Sequence, residues 1–222
     1  MKNLFALFTL FAFISFNNQT FAQSNEAGTL SINGGVGWGL YGTTSEETFD
    51  GTTIGQDTSG ILSVFFPISI HYGFAERFSG GIYVRPGSYY DRVDSNTVTT
   101  GTNSIFTAGG ELCFYIVNKD RFNFYTKGGF GINKLTINDT EDPLISERKY
   151  GGTHWKWDLG FNAYFSDAIG MFFNLGVAGY KFELKEALDA NSNAIDLNQY
   201  EFTFKALGPE VSLGLAIKLS TN

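Results

Sequence analysis

Seven ionisable side chains stand at alternate positions of otherwise apolar segments: Arg85, Glu111, Lys127, Lys156, Asp158, Glu210 and Lys218. Both signs recur on neighbouring segments. An isolated buried ion costs several kcal/mol, so such charges must pair if they face an interior. Arg85, Glu111, Lys127, Lys156 and Asp158 form the candidate network, read as salt bridges that fill an interior; Arg85 and Glu111, on adjacent segments, are the expected pair. A proton or ion conduit is the sharper alternative and would need a continuous file of water. His71 and His154 are the only histidines. Ser69-x-His71 puts a hydroxyl and a base on one side of a strand, a spacing suited to nucleophilic catalysis. No Asp or Glu falls on the facing positions of the neighbouring segments to orient the ring, so no catalytic residue is assigned. His154, beside Thr153, Lys156 and Asp158, is expected to be a partly solvated histidine at one rim.

Other motifs are weaker. Gly37-x-Gly39-x-x-Gly42 fits the dinucleotide fingerprint formally, but no helix follows to receive a pyrophosphate; these glycines are expected to make room in a crowded interior. No Walker loop, zinc spacing or calcium-hand loop occurs, so no metal or cofactor is assigned. Cys113 is the single cysteine, which excludes a disulfide framework within one chain; it is read as a small apolar side chain.

The elements that carry these residues are strands. From Leu62 to Phe74, alternate positions read Leu62, Val64, Phe66, Ile68, Ile70, Tyr72 and Phe74, with Ser63, Phe65, Pro67, Ser69, His71 and Gly73 between them. One face is wholly apolar and the other mixed, the period of a strand with a different solvent on each side. Comparable segments recur about eight times: near 29–41, up to 74, 78–90, 106–116, 122–133, 154–165, 173–184 and 200–219. In the last two the apolar set changes phase, to Tyr180, Phe182 and Leu184 after Gly179 and at Gly208-Pro209, which predicts a bulge at each place. Long polar connections near 43–58, 91–103, 138–150 and 185–199 alternate with short turns at Ala75–Arg77, Asn118–Arg121 and Ser166–Ala168. Two aromatic belts are expected. Phe74, Phe78, Phe114, Phe122, Phe124 and Phe165 lie near the turns; Tyr90, Phe106, Trp155, Trp157, Tyr180, Phe182, Tyr200 and Phe202 lie near the loops.

Met1 to Ala22 reads as a secretory leader: Lys2, the apolar run Leu4–Phe16, a polar stretch, and small residues before Gln23. The run is shorter than the roughly 20 residues of a spanning helix. Residues 23–222 then form a single domain with no second domain visible. Formal charge is −7 for the whole chain, and no basic cluster occurs, which argues against nucleic-acid binding. Phe (23), Tyr (11) and Gly (27) are abundant and Pro (4) scarce, as many long strands require. These features together predict an all-β chain, an eight-stranded antiparallel up-and-down transmembrane β-barrel. A soluble barrel of lipocalin type, with the apolar face turned inward, is the competing architecture.

The chain resembles the small eight-stranded outer-membrane barrels of Gram-negative bacteria, of the outer-membrane protein A, X and W kind. The Ala22-Gln23 junction is similar to leaders common in Bacteroidota, and Ser212-x-Gly214-x-x-Ile217-x-Leu219 resembles the terminal signal that such barrels show to the barrel-insertion machinery. The resemblance implies outer-membrane lipids and lipopolysaccharide as surroundings, and leaves any specific protein partner unknown. It identifies an architecture and leaves the activity open; the leading reading is a non-enzymatic structural or interaction protein acting through its external loops. The alternatives are a narrow conduit or accessory barrel of an export or assembly complex, and a lipid-modifying enzyme, since some small outer-membrane barrels carry Ser and His sites. The acidic loops, with Glu46, Glu47, Asp50 and Asp57 in the first, Asp139, Glu141, Asp142 and Glu147 in the third and Glu183, Glu186, Asp189 and Asp196 in the fourth, are read as solvated, with calcium or magnesium bridging to lipopolysaccharide phosphates as the alternative.

Overall fold

A computed structural model describes residues 24–91, 103–138, 145–189, 191, 193–195 and 200–219; the leader and most of the second loop lie outside the described residues. Nine antiparallel strand elements form one closed ring: β1 (Leu30–Phe49), β2 (Thr52–Phe65), β3 (Ile68–Ala75), β4 (Phe78–Asp91), β5 (Asn103–Lys119), β6 (Phe122–Asn138), β7 (Glu147–Tyr164), β8 (Ile169–Leu188) and β9 (Tyr200–Leu219). β2 and β3 are one staves-width of wall interrupted at Phe66-Pro67, because proline has no N–H for the ladder. Both pieces pair with β1 on one side and β4 on the other, so the barrel has eight staves. β1 closes onto β9 from Leu30↔Leu219 to Phe49↔Tyr200, leaving no open edge along that seam. The eight-stranded up-and-down barrel read from the sequence is the fold.

The alternation sorts side chains between two environments. Outward-facing Trp38, Leu62, Ile82, Leu112, Phe130, Trp157, Leu175 and Leu213 are exposed, whereas inward-facing polar residues are buried. A soluble ligand-binding barrel has the reverse arrangement. On the β7 stave the apolar outward positions run from Trp155 to Phe165. The ten steps between them, at ~3.3 Å rise and a tilt of ~40°, give about 25 Å of height, the height of the apolar band of transmembrane barrels. Around the turn end a belt of phenylalanines stacks on the outside: Phe74 on Phe78 at 6.2 Å between centroids, Phe78 on Phe114 at 5.0 Å, and Phe122 on Phe161 at 6.1 Å.

Three expectations need correction. Residues 43–58 are not an irregular loop: β1 and β2 continue past the wall as a hairpin that turns at Asp50-Gly51. Both residues have positive φ, 48° and 73°, the backbone of a two-residue turn whose twist matches the strands. Neither expected bulge is present. On β8 the residues buried inside are Phe172, Asn174, Ala178, Tyr180 and Phe182, in one unbroken phase, and the register shifts only higher up, at Lys185 opposite Lys149/Tyr150. On β9 the pairings Gly39↔Glu210 and Gly42↔Leu207 keep one register across Pro209. The third correction follows from the second. Tyr180, Phe182 and Phe202 belong not to an outer belt but to an aromatic core inside the loop end, and the side chain of Tyr200 lies outside the described residues.

Candidate functional site

The lumen is filled in three layers. At the loop end Tyr41, Ile61, Tyr89, Leu135, Tyr150, Tyr180 and Phe182 pack as an apolar cluster, joined by Phe202 and Phe204. At the turn end the segment before β1 folds under the barrel. Ser24 and Asn25 are almost fully buried, held by Asn118, which accepts from Ser24 Oγ and from the Asn25 N–H at 3.0 Å each. Asn123 donates to Ser24 Oγ at 2.8 Å. This plug was not legible in the sequence, where residues 23–28 carry no periodicity.

Between the two caps lie the charges. Arg85, Glu111, Lys127, Lys156 and Asp158 are all inside, none more than 8% exposed. They do not pair as expected. Arg85 does not meet Glu111; its Nη2 lies 2.7 Å from Glu210 Oε2, across the lumen on β9. The reason is register: Arg85 lies opposite Thr107, whereas Glu111 lies opposite Gly81, one strand spacing but four residues away. Glu111 instead takes Lys156 Nζ at 2.5 Å, His71 Nε2 at 2.6 Å and Lys127 Nζ at 3.9 Å. Asp158 receives Lys156 and Lys127 at 3.4 and 3.9 Å. Three buried cations, Arg85, Lys127 and Lys156, thus face three buried carboxylates, Glu111, Asp158 and Glu210. Lys218, nearer the turn end, lies over the Tyr164 ring at 5.2 Å.

Glycines make the Glu111 cluster possible. One row across the wall reads His71, Gly81, Glu111, Gly129, Lys156. His71 reaches Glu111 over Gly81, and Lys156 reaches it over Gly129. A Cβ at Gly129 would come within 3.0 Å of Lys156 Cε, and one at Gly81 within 2.1 Å of the Ile70 carbonyl oxygen. Glu111 is the carboxylate that the sequence reading did not find for His71, because it comes from two strands away. No hydrogen bond joins Ser69 to His71 among the described residues, so the Ser–His pair is not assembled for nucleophilic attack.

His154 is also placed differently from expectation: it is 0% exposed, in the middle of the lumen. Arg85 Nη1 lies 3.2 Å from its Nε2 and Tyr83 Oη 2.9 Å from its Nδ1. A guanidinium only donates, so Nε2 accepts and the Nδ1–H donates to Tyr83. Glu210 is satisfied by two more hydroxyls, Tyr41 at 2.5 Å and Tyr180 at 2.9 Å, and Arg85 lies over the Phe65 ring at 3.9 Å. The space left among these groups is a cavity of about 20 Å³ open to the centre of a water molecule. That is room for about one water. The arrangement therefore holds charge in compensated positions around little free space.

No family model matches the chain, and no curated protein matches its sequence. Among solved structures, the outer membrane protein OprG from Pseudomonas aeruginosa is similar over 89% of this chain and 98% of its own, with 17% identity and a TM-score of 0.60. The N-terminal β-barrel domain of Pseudomonas aeruginosa OprF aligns with 86% of this chain and 98% of its own, with 12% identity and a TM-score of 0.41. With its ring of eight antiparallel staves and apolar outer wall, this chain shares the fold of OprG, a small outer-membrane β-barrel.

Proposed function

We propose that the protein is an integral outer-membrane barrel of a Gram-negative bacterium, exported behind the leader Met1–Ala22, with a sealed lumen and a non-enzymatic role. It serves as a structural or interaction protein, presenting the β1–β2 hairpin and the acidic loops outside the cell. The observation that carries this reading is the inversion of the two faces: apolar residues line the outer wall over about 25 Å, while the charges inside are paired and closed off at both ends. Lipids and lipopolysaccharide surround such a wall. The strand β9, with Ser212, Gly214, Ile217 and Leu219, supplies the contact with the barrel-insertion machinery. Fractionation tests it. Native protein should stay with the membrane through a carbonate wash and require detergent for release; release into the soluble fraction without detergent would mean that the outer wall is not in lipid.

A further inference from the structure

Just above the apolar band, one row of outward residues crosses four staves: Thr153 on β7 pairs with Lys181 on β8, Lys181 with Lys205 on β9, and Lys205 with Thr44 on β1. Two lysines directly opposite one another on neighbouring strands repel and destabilise a sheet. Lys181 is partly compensated, with Glu183 Oε1 at 2.8 Å, but Lys185 shares the same carboxylate at 2.9 Å. Lys205 has no ion pair among the described residues. Of the other carboxylates on this face, Glu46 sits one row higher and accepts from Thr53, Glu201 lies two rows higher opposite Thr48, and Glu147 and Glu186 pair with Lys149.

The row immediately below is Trp155, Gly179, Leu207, Gly42. The Trp155 indole lies across Gly179, where no side chain keeps it away, and the space over Gly42, beyond Leu207, stays open; together the two rows line a groove of about 410 Å³ on the outer wall. Its upper rim carries ammonium and hydroxyl donors and its floor is apolar, with a tryptophan at the boundary, where amphipathic rings settle at headgroup level.

We propose that this groove binds one phosphorylated membrane lipid of the outer leaflet, its phosphate held by Lys181, Lys205, Thr44 and Thr153 and its first acyl segment lying against the Trp155 indole, Leu207 and the open face of Gly42. The proposal rests on the reading of the outer wall as lipid-embedded. It explains why two lysines are set side by side where Glu183 is shared with Lys185 and leaves the pair short of negative charge.

The test uses mature protein folded into phosphatidylcholine nanodiscs containing a small fraction of diphosphorylated lipid A, with retained lipid counted by native mass spectrometry. Wild-type protein should retain the phosphorylated glycolipid, and Lys181→Gln/Lys205→Gln should weaken retention by about 20- to 30-fold, from roughly five-fold per lysine near a membrane surface. Lys134→Gln/Lys149→Gln, which removes the same charge elsewhere on the rim, should leave it unchanged. Dephosphorylated lipid A should not be retained, and millimolar inorganic phosphate should not displace the lipid. Equal losses in the two double variants, retention of the dephosphorylated lipid, or displacement by free phosphate would overturn the site. Insertion is followed in the same samples: protein that inserts without lipid preference overturns this site alone, whereas protein that fails to insert overturns the membrane reading with it.

Discussion

Glu111 and Lys156 meet at 2.5 Å in the centre of the barrel although they stand on staves that are not neighbours. Gly129, between them in the row, has no side chain to keep them apart. The same device on the other side, at Gly81, brings in His71. One carboxylate thereby organises residues from three strands, and its removal leaves Lys127 and Lys156 to share Asp158, one buried positive charge in excess.

Glu111→Gln should accordingly destabilise the folded barrel by about 3–5 kcal/mol, the penalty for leaving a buried charge unpaired. Pairing that change with Lys156→Met leaves Arg85 with Glu210 and Lys127 with Asp158, restoring balance. The double variant should recover most of the loss. Reversible urea unfolding of the four proteins in a double-mutant cycle measures the coupling. Additive effects would mean that water, not Lys156, compensates Glu111.

The glycine row makes a separate prediction. Gly81→Ala drives a methyl group to 2.1 Å from the Ile70 carbonyl oxygen, so the wall must shift, at a cost of about 1–3 kcal/mol. Gly128 faces outward with nothing within 4 Å. Gly128→Ala should change stability by no more than about 0.5 kcal/mol. Unfolding midpoints of the two variants check the contrast.

Which side each residue faces was legible in the sequence wherever the two sides differ in polarity. From Gly37 to Tyr41 and from His154 to Tyr164 the alternation matches the observed burial residue by residue in kind. It failed where both sides are apolar. Tyr180, Phe182, Phe202 and Phe204 line a lumen that is itself hydrophobic at the loop end, and an aromatic residue facing an aromatic core looks the same as one facing lipid. Partners inside the lumen were not legible, because they depend on register and on chords across the barrel: Arg85 on β4 reaches Glu210 on β9. The hairpin at Asp50-Gly51 did have a signal. Asp-Gly is a preferred two-residue turn, and the residues around it were read as loop because they are polar.

The proposed immersion of the β7 face in lipid gives a depth-dependent expectation. Leu159→Arg, near the middle of the band, should cost about 2–4 kcal/mol, whereas Thr153→Arg at its upper edge should cost about 0–1 kcal/mol. Folding of both variants into vesicles of one lipid composition, followed by tryptophan fluorescence, compares them. Equal costs would mean that the β7 face is not immersed as assigned.

At the loop end, hydrogen bonds from Lys181 and Lys185 hold the exposed Glu183 carboxyl at about 2, well below its ordinary range. A depressed carboxyl contributes its stabilisation above its ordinary titration range and loses it as pH falls through the folded value. The Glu183 contacts should therefore persist at pH 4 and disappear only on approach to pH 2. Carboxylate NMR titration of the protein in micelles reads this directly, and an ordinary titration near pH 4 would show that the two lysines are not held there.

A sealed lumen is what separates the structural or interaction role proposed above from a conduit, and electrical recording reports it most directly. Protein whose insertion has been verified by flotation is fused into planar bilayers at neutral pH. The layered plug, with about 20 Å³ of free space at its charged centre, should give no sustained conductance above the bare membrane. A steady, ohmic open state in wild-type protein would contradict it and would make the barrel a conduit.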